Sequence, residues 1–310
     1  MKAREDAWGW VEMQGSALWD RRCKESVASV CELRLERPRV SFSKACGDAV
    51  RQAAHRVCSH RKATVDGLLR GHYTQTAARC AELYRDNPQH PILLVADTTS
   101  LNYASHPATE GLGPINHTLQ ARGLLAHSVL ALPYVGVPAG LVHVCLWARD
   151  AERHGKSRKR GQEPTAVKEG QKWLDGLWGA EATLPDTLPA VMIADREADC
   201  YDLFNAERRP GLDLLVRAHQ PRKVALPGSD ETLPLLEAVQ RQPVCGTLEV
   251  TVPRQPGKPA RNAAVALQTT TVLLQRYRAQ PGALPLRMSV VLAREVNPPE
   301  GEPLNWLLLT

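Results

Sequence analysis

The chain has 310 residues, 43% hydrophobic and 23% charged, with a formal net charge of +6. That balance excludes a disordered or fibrous chain and allows one large domain or two modest ones. Mean hydropathy is -0.31 and no apolar run matches a bilayer span, which excludes an integral membrane protein of the helical kind.

The charge is uneven along the chain. Residues 1–90 hold 16 Lys/Arg against 11 Asp/Glu, while the remainder holds 23 against 22. The opening Met1-Lys2-Ala3-Arg4-Glu5-Asp6 leads into no apolar stretch of signal-peptide type, so a cytoplasmic protein is expected. From about residue 16 to 85 the pattern is helical: Val27, Val30, Cys31 and Leu33 recur at helical spacing, and Ser43 is placed to cap a second helix through Val50, Ala54 and Val57. A third helix over Thr76 to Tyr84 stops before Asn87-Pro88. None of the eight cysteines forms a Cys-x-x-Cys pair, and they read as buried small apolar thiols rather than ligands or disulfides.

The composition then changes. Ile92-Leu93-Leu94-Val95-Ala96 is a short continuous apolar run, the pattern of a strand covered on both faces. Leu124 to Leu132 and Gly140 to Trp147 read as strands joined hairpin-fashion through Pro133, Gly136 and Pro138. A basic loop carries Arg153, Lys156, Arg158, Lys159 and Arg160; clustered cations of this kind attract phosphate, although a solvated charged face is the plainer alternative. A helix follows over Thr165 to Trp178, then a strand Val191 to Ala194, a helix through Tyr201 and Phe204, and a strand Leu212 to Val216. Beyond residue 222, alternating segments such as Thr247 to Val252 and Met288 to Arg294 predict an antiparallel β insertion, and Leu304 to Thr310 is an apolar strand that simply stops, a hint that the chain is cut short.

Both continuous apolar strands finish on a carboxylate, Asp97 and Asp195. Ligands gather at the carboxyl ends of strands in open sheets that contain parallel strands. Neighbouring strands would bring the two acids together across 98 residues of sequence, where they would repel unless a cation such as Mg2+ lay between them. The competing reading makes each aspartate a turn residue or N-cap, and Asp195 is placed to cap the helix after it. The hydroxyls of Thr98, Thr99 and Ser100, and the cation Arg196, suit phosphate contacts. Glu197 and Asp199 suit a helix N-terminus.

Five blocks in order, Asp97-Thr98-Thr99-Ser100-Leu101-Asn102-Tyr103, Gly111-Leu112-Gly113 with Gly123 and His127-Ser128, Asp195-Arg196-Glu197-Ala198-Asp199, Asn297-Pro298-Pro299, and Trp306 to Thr310, resemble the DDE cut-and-paste transposases of bacterial insertion sequences (the IS-four family, Tn-five type). A looser N-terminal match surrounds Ala17 to Arg22, with Trp19 where the family usually has glycine. The resemblance implies an α/β fold: a helical DNA-binding domain over 1–85, an RNase H-like mixed-sheet core beginning at 86–221, and a β-rich insertion over 222–310. It implies strand cleavage and transfer at transposon ends, a two-metal site using Mg2+ with Mn2+ as substitute, and Asp97 and Asp195 as catalytic, metal-holding residues. Double-stranded DNA is the implied partner, with a synaptic homodimer and a nucleoid-associated location. The third acid of such a triad, in a Tyr-x-x-Arg-x-x-x-Glu-x-x-x-x-x-x-Lys signature, would fall past Thr310; Glu295, Glu300 and Glu302 belong to the preceding loop.

The resemblance implies further DNA contacts at Arg217 and His219, for which surface charge is the alternative, and Arg122 is a further expected contact. Trp306 is either a core tryptophan or a ring that stacks on an extruded base. His127 reads as a hydrogen-bonded core histidine. Gly155-Lys156-Ser157 fails as a P-loop because position 150 is Asp150, and Gly111-Leu112-Gly113 follows no strand as a dinucleotide fingerprint requires. Two other functions stay open: a remnant that binds DNA or a partner subunit without cutting, and an unrelated metal-dependent hydrolase of small phosphoesters.

Overall fold

The computed structural model describes residues 6–116, 120–152, 169–229, 231–254, 259–275, 284–298 and 303–310. The chain is mixed α/β, with eight α-helices and twelve strands among the described residues. It divides into two compact units. The described residues up to 152 join 175–190 in the first, and 169–174 join 191–310 in the second.

The first unit begins with α1 (Trp8–Gln14), α2 (Arg21–Glu36), α3 (Phe42–Ala45), α4 (Asp48–Cys58) and α5 (Val65–Asp86). Asp20 starts α2 by accepting the Cys23 N–H at 2.8 Å, and Thr64 starts α5 by accepting that of Gly67 at 3.0 Å, as side-chain N-caps do. Ser43 is not a cap: it lies inside α3, and α4 follows Gly47 with Asp48 in its first turn, where a negative charge suits the helix dipole. The third helix is far longer than Thr76 to Tyr84. Gly67 and Gly71 weaken its sequence signal, yet a side chain at Gly71 would collide with the Glu12 carbonyl oxygen. Close packing of α1 on α5 therefore requires the residue that lowers helix propensity.

A buried polar network ties these helices to the strands. Glu12, 1% exposed, accepts from Arg79 Nη1 at 2.6 Å and from His72 Nδ1 at 2.6 Å. Arg79 Nε donates to the Ala139 carbonyl at 2.8 Å, and the Leu141 N–H donates to His72 Nε2 at 2.9 Å. Because Nε2 accepts, the ring proton sits on Nδ1 and points to Glu12. Burial opposes ionisation of Glu12, but the bonds from His72 and Arg79 outweigh it and hold the carboxyl below its ordinary range. Gly140, at φ 145°, is where this network meets the sheet, and a side chain there would run into Thr76 and the His72 ring.

The strands of this unit are β1 (Ile92–Asn102), β2 (Gly113–Pro114), β3 (Arg122–Leu132) and β4 (Gly140–Trp147). β1, β2 and β4 all pair antiparallel with β3, and the β3–β4 hairpin has the expected limits except that β3 begins two residues earlier, at Arg122, with an irregularity between Val129 and Leu130. The apolar run of β1 is sealed on one face only: Ile92, Leu94 and Ala96 are buried, while Leu93 and Val95 are half-covered. The helix expected from Thr165 is α6 (Gln171–Thr183), extending past Trp178; 165–168 lie outside the described residues.

In the second unit β5 (Ala190–Ala194), β6 (Leu212–Arg217), β12 (Asn305–Leu309), β11 (Leu286–Glu295) and β10 (Arg261–Leu274) are successive neighbours. β7 (Lys223–Ala225) and β9 (Gly246–Val252) pair with different stretches of β10, and β8 (Thr232–Pro234) pairs with β7. The strands from β7 onward form the antiparallel ladders that alternation foretold, together with a short helix α8 (Leu235–Gln240) that it did not. β12, read as a strand that stops, is interior: Leu309 faces Val290 of β11 and Val216 of β6 and is fully buried. Glu295 is not a loop residue. It ends β11, buried, paired with Arg261 and accepting the Leu304 N–H at 2.9 Å. The arginine first, and then that N–H, hold its carboxyl below the ordinary range.

The cysteines depart from expectation. All eight are free, but only Cys46 and Cys80 are buried, and Cys58 and Cys245 are exposed.

Candidate catalytic carboxylates

Asp97 belongs to the first unit. The sequence places it at a strand end, yet β1 continues five residues beyond it. The ladder runs unbroken through Asp97 opposite Ser128, Thr98 opposite His127 and Asn102 opposite Gly123. What ends at Asp97 is burial: Ala96 is buried, and Asp97, Thr99 and Ser100 are exposed. β-Branched hydroxyl residues suit such a half-solvated pleat. One carboxylate oxygen of Asp97 accepts the Thr98 N–H at 2.7 Å. Thr98 itself is half-buried, its Oγ1 3.0 Å from His127 Nδ1. His127 is fully buried, in keeping with the core role expected of it, and a side chain on Gly176 of α6 would crowd its ring. Thr98 thus spends its hydroxyl inward, while Thr99 and Ser100 present theirs to solvent.

Asp195 belongs to the second unit and does follow its strand. It caps a 3-10 turn, Arg196–Ala198, accepting the Glu197 N–H at 2.9 Å, as the capping expectation held. Asp195, Arg196 and Glu197 are exposed. Glu197 reaches Lys172 Nζ at 2.9 Å. Arg217, at the end of β6, lies close enough to feel both neighbours: its guanidinium is held below its ordinary value by burial first, then by Arg196, with Asp195 opposing. Two arginines around one exposed carboxylate form a mixed-charge patch that can take a phosphate beside a cation.

Asp199 does not serve a helix N-terminus. Its side chain is buried and accepts the His219 N–H at 2.6 Å and the Gln220 N–H at 2.7 Å while paired with Arg222. It therefore builds the turn that carries His219, and His219, Arg222 and Lys223 line a cleft of about 470 Å3 with Leu235 and Leu307. Trp306 packs, half-buried, on Ala263, Val265 and Ala293. Arg122, exposed at the start of β3, donates to the Leu112 carbonyl at 3.0 Å. Arg153, Lys156, Arg158, Lys159 and Arg160 lie outside the described residues. Sequence reasoning missed Lys172 and the anchoring role of Asp199; the one available signal was a lysine beside Trp173 at the head of a largely apolar helix.

Among the described residues no three or more His, Cys, Asp or Glu side chains gather as a metal-holding group. Magnesium does not need one, since it keeps most of its waters and is commonly held by one or two carboxylates with substrate phosphates. Exposed Asp97 and Asp195, each with one oxygen fixed by a main-chain N–H, are hard donors of that kind. No helix among the described residues is long and apolar enough to cross a membrane. No protein-family model matches the chain. Among solved structures it is similar to a piggyBac transposase in a synaptic complex with hairpin DNA, at a TM-score of 0.30 and 11% identity over 70% of this chain and 32% of that one. The chain thus spans about a third of that protein's length, and a likeness at this level assigns neither family nor residue role.

Proposed function

We propose that the chain is a DDE-type transposase that cleaves and joins double-stranded DNA at transposon ends, as a homodimer when two ends are synapsed. The observation that carries this reading is the ordered set of sequence blocks around Asp97 and Asp195. Its support from chemistry is that both acids are exposed, fixed by main-chain donors, and accompanied by hydroxyls or guanidiniums suited to phosphate. Asp97 and Asp195 hold Mg2+, or Mn2+ in its place; when bound, the metal lowers the cost of making an oxygen nucleophile and of charging the leaving oxygen. Thr99 and Ser100 donate to phosphate oxygens beside Asp97, and Arg196 and Arg217 neutralise the backbone beside Asp195. Arg122, His219, Trp306 and the basic loop from Arg153 to Arg160 extend the DNA contact.

DNA carrying the terminal sequences that flank this gene, incubated with full-length protein that includes the third acid the resemblance implies, tests the reading. Nicking is expected only with Mg2+ or Mn2+, and Asp97→Ala or Asp195→Ala is expected to abolish it while leaving salt-sensitive DNA retention intact. Wild-type rates from either variant would overturn it; retention without any nicking by the wild type would favour a DNA-binding protein that does not cut.

A further inference from the structure

Lys172 is the second residue of α6 and only 8% exposed. A buried ammonium is costly unless paired and hydrogen-bonded. Its Nζ lies over the Trp173 ring, 5.2 Å from the centroid, and bonds Glu197 Oε2 at 2.9 Å. The partner is unlike it: the Glu197 side chain is 68% exposed and sits on a turn of three residues. A turn that short has little cooperative stability of its own. Its internal bonds are long, from the Ala198 N–H to the Asp195 carbonyl at 3.2 Å and from the Asp199 N–H to the Arg196 carbonyl at 3.3 Å. Yet the main-chain N–H of Glu197 is the group that fixes the Asp195 carboxylate.

We propose that Lys172 is a positioning residue for Asp195, acting through Glu197. The buried ammonium holds an otherwise solvated carboxylate, the carboxylate holds the turn, and the turn aims the N–H that sets the rotamer of Asp195. This rests on the reading that Asp195 holds a divalent cation. Groups that orient a metal ligand in this way change metal affinity by roughly tenfold or more when removed.

The sign of the effect separates positioning from simple electrostatics. Deleting a positive charge near a cation site should tighten cation binding by Coulomb's law alone; losing the aim of Asp195 should weaken it. Mn2+ binding to the 310-residue protein is read from loss of the free-ion EPR signal, with circular dichroism reporting the fold. Lys172→Met is expected to weaken binding roughly tenfold, with Lys172→Arg restoring most of it. The double variant Lys172→Met with Glu197→Met leaves net charge unchanged and replaces the pair by apolar groups, so it decides the matter should Lys172→Met alone not fold. It too is expected to bind roughly tenfold more weakly. Unchanged or tighter binding in a folded Lys172→Met or double variant overturns the proposal. Asp195→Asn is the separate control: if it binds Mn2+ as the wild type does, the metal reading of Asp195 itself fails, whatever Lys172 does.

Discussion

The two candidate carboxylates are supported in different ways. Asp97 sits inside an eleven-residue strand whose ladder to β3 continues on both sides of it. β3 in turn hairpins to β4, and the connection is bonded to α5 and α1 through His72, Arg79 and Glu12. Asp195 stands at the end of its strand, and the chain after it is held by side chains: Glu197 by Lys172, Asp199 by Arg222 and two main-chain N–H groups. A ladder shares its load over many backbone bonds, whereas a keyed turn concentrates it on a few side chains. Point substitutions near Asp195 should therefore act strongly, and those near Asp97 weakly.

The sharpest break in that contrast would come at Asp199. Truncation to alanine removes the buried acceptor of two main-chain N–H groups and the partner of Arg222, a loss of about 3–5 kcal/mol for a broken buried pair. Urea unfolding followed by tryptophan fluorescence should show it, along with loss of DNA retention as the turn bearing His219 gives way. A cost under about 1 kcal/mol, the value of an ordinary exposed pair, would mean that the turn does not depend on this anchor.

Thr98→Val probes the other side. It removes the hydroxyl that bonds His127, a cost of about 1–2 kcal/mol for a buried polar group deprived of one partner. The bond that fixes Asp97, however, comes from the main-chain N–H of residue 98, which valine keeps, and valine suits a strand. Metal-dependent nicking should stay within about threefold of wild type, a shift in barrier well under 1 kcal/mol. A much larger fall, with the fold intact, would show that Asp97 depends on side chains after all.

The same contrast explains what the sequence made legible. The β3–β4 hairpin, β5, β9 and β11 carry their signal in local apolar periodicity and turn residues and are legible to within two residues, whereas β10 between them is not. The apolar run ends at Asp97 because polar residues follow it; only pairing with β3 carries the strand on to Asn102. The helical pattern shows only from Thr76 because Gly71 answers to α1, fifty-odd residues away, rather than to its own helix. The two acids were found because each closes an apolar run. Lys172 and the role of Asp199 were not, because their partners at Glu197 and at 219–222 become partners only on folding.

The smallest expected effect concerns the network behind β3 and β4. Glu12 has a folded-state carboxyl lowered below the ordinary 4.5: burial raises it, and the bonds from His72 and Arg79 more than reverse that rise. An acid depressed in the folded state contributes stability that is fully present above its unfolded value and is lost as pH falls through the folded one. The first unit should hold its stability on descending to about pH 5 and lose part of it in the acid range below. Glu12→Gln should flatten part of the acid limb in a series of urea melts from about pH 3 to 7, although Glu295, also depressed, keeps some of the slope. An unchanged acid limb in Glu12→Gln would mean that the carboxylate is not what couples α1 and α5 to the hairpin, and the support of Asp97 would then rest on its ladder alone.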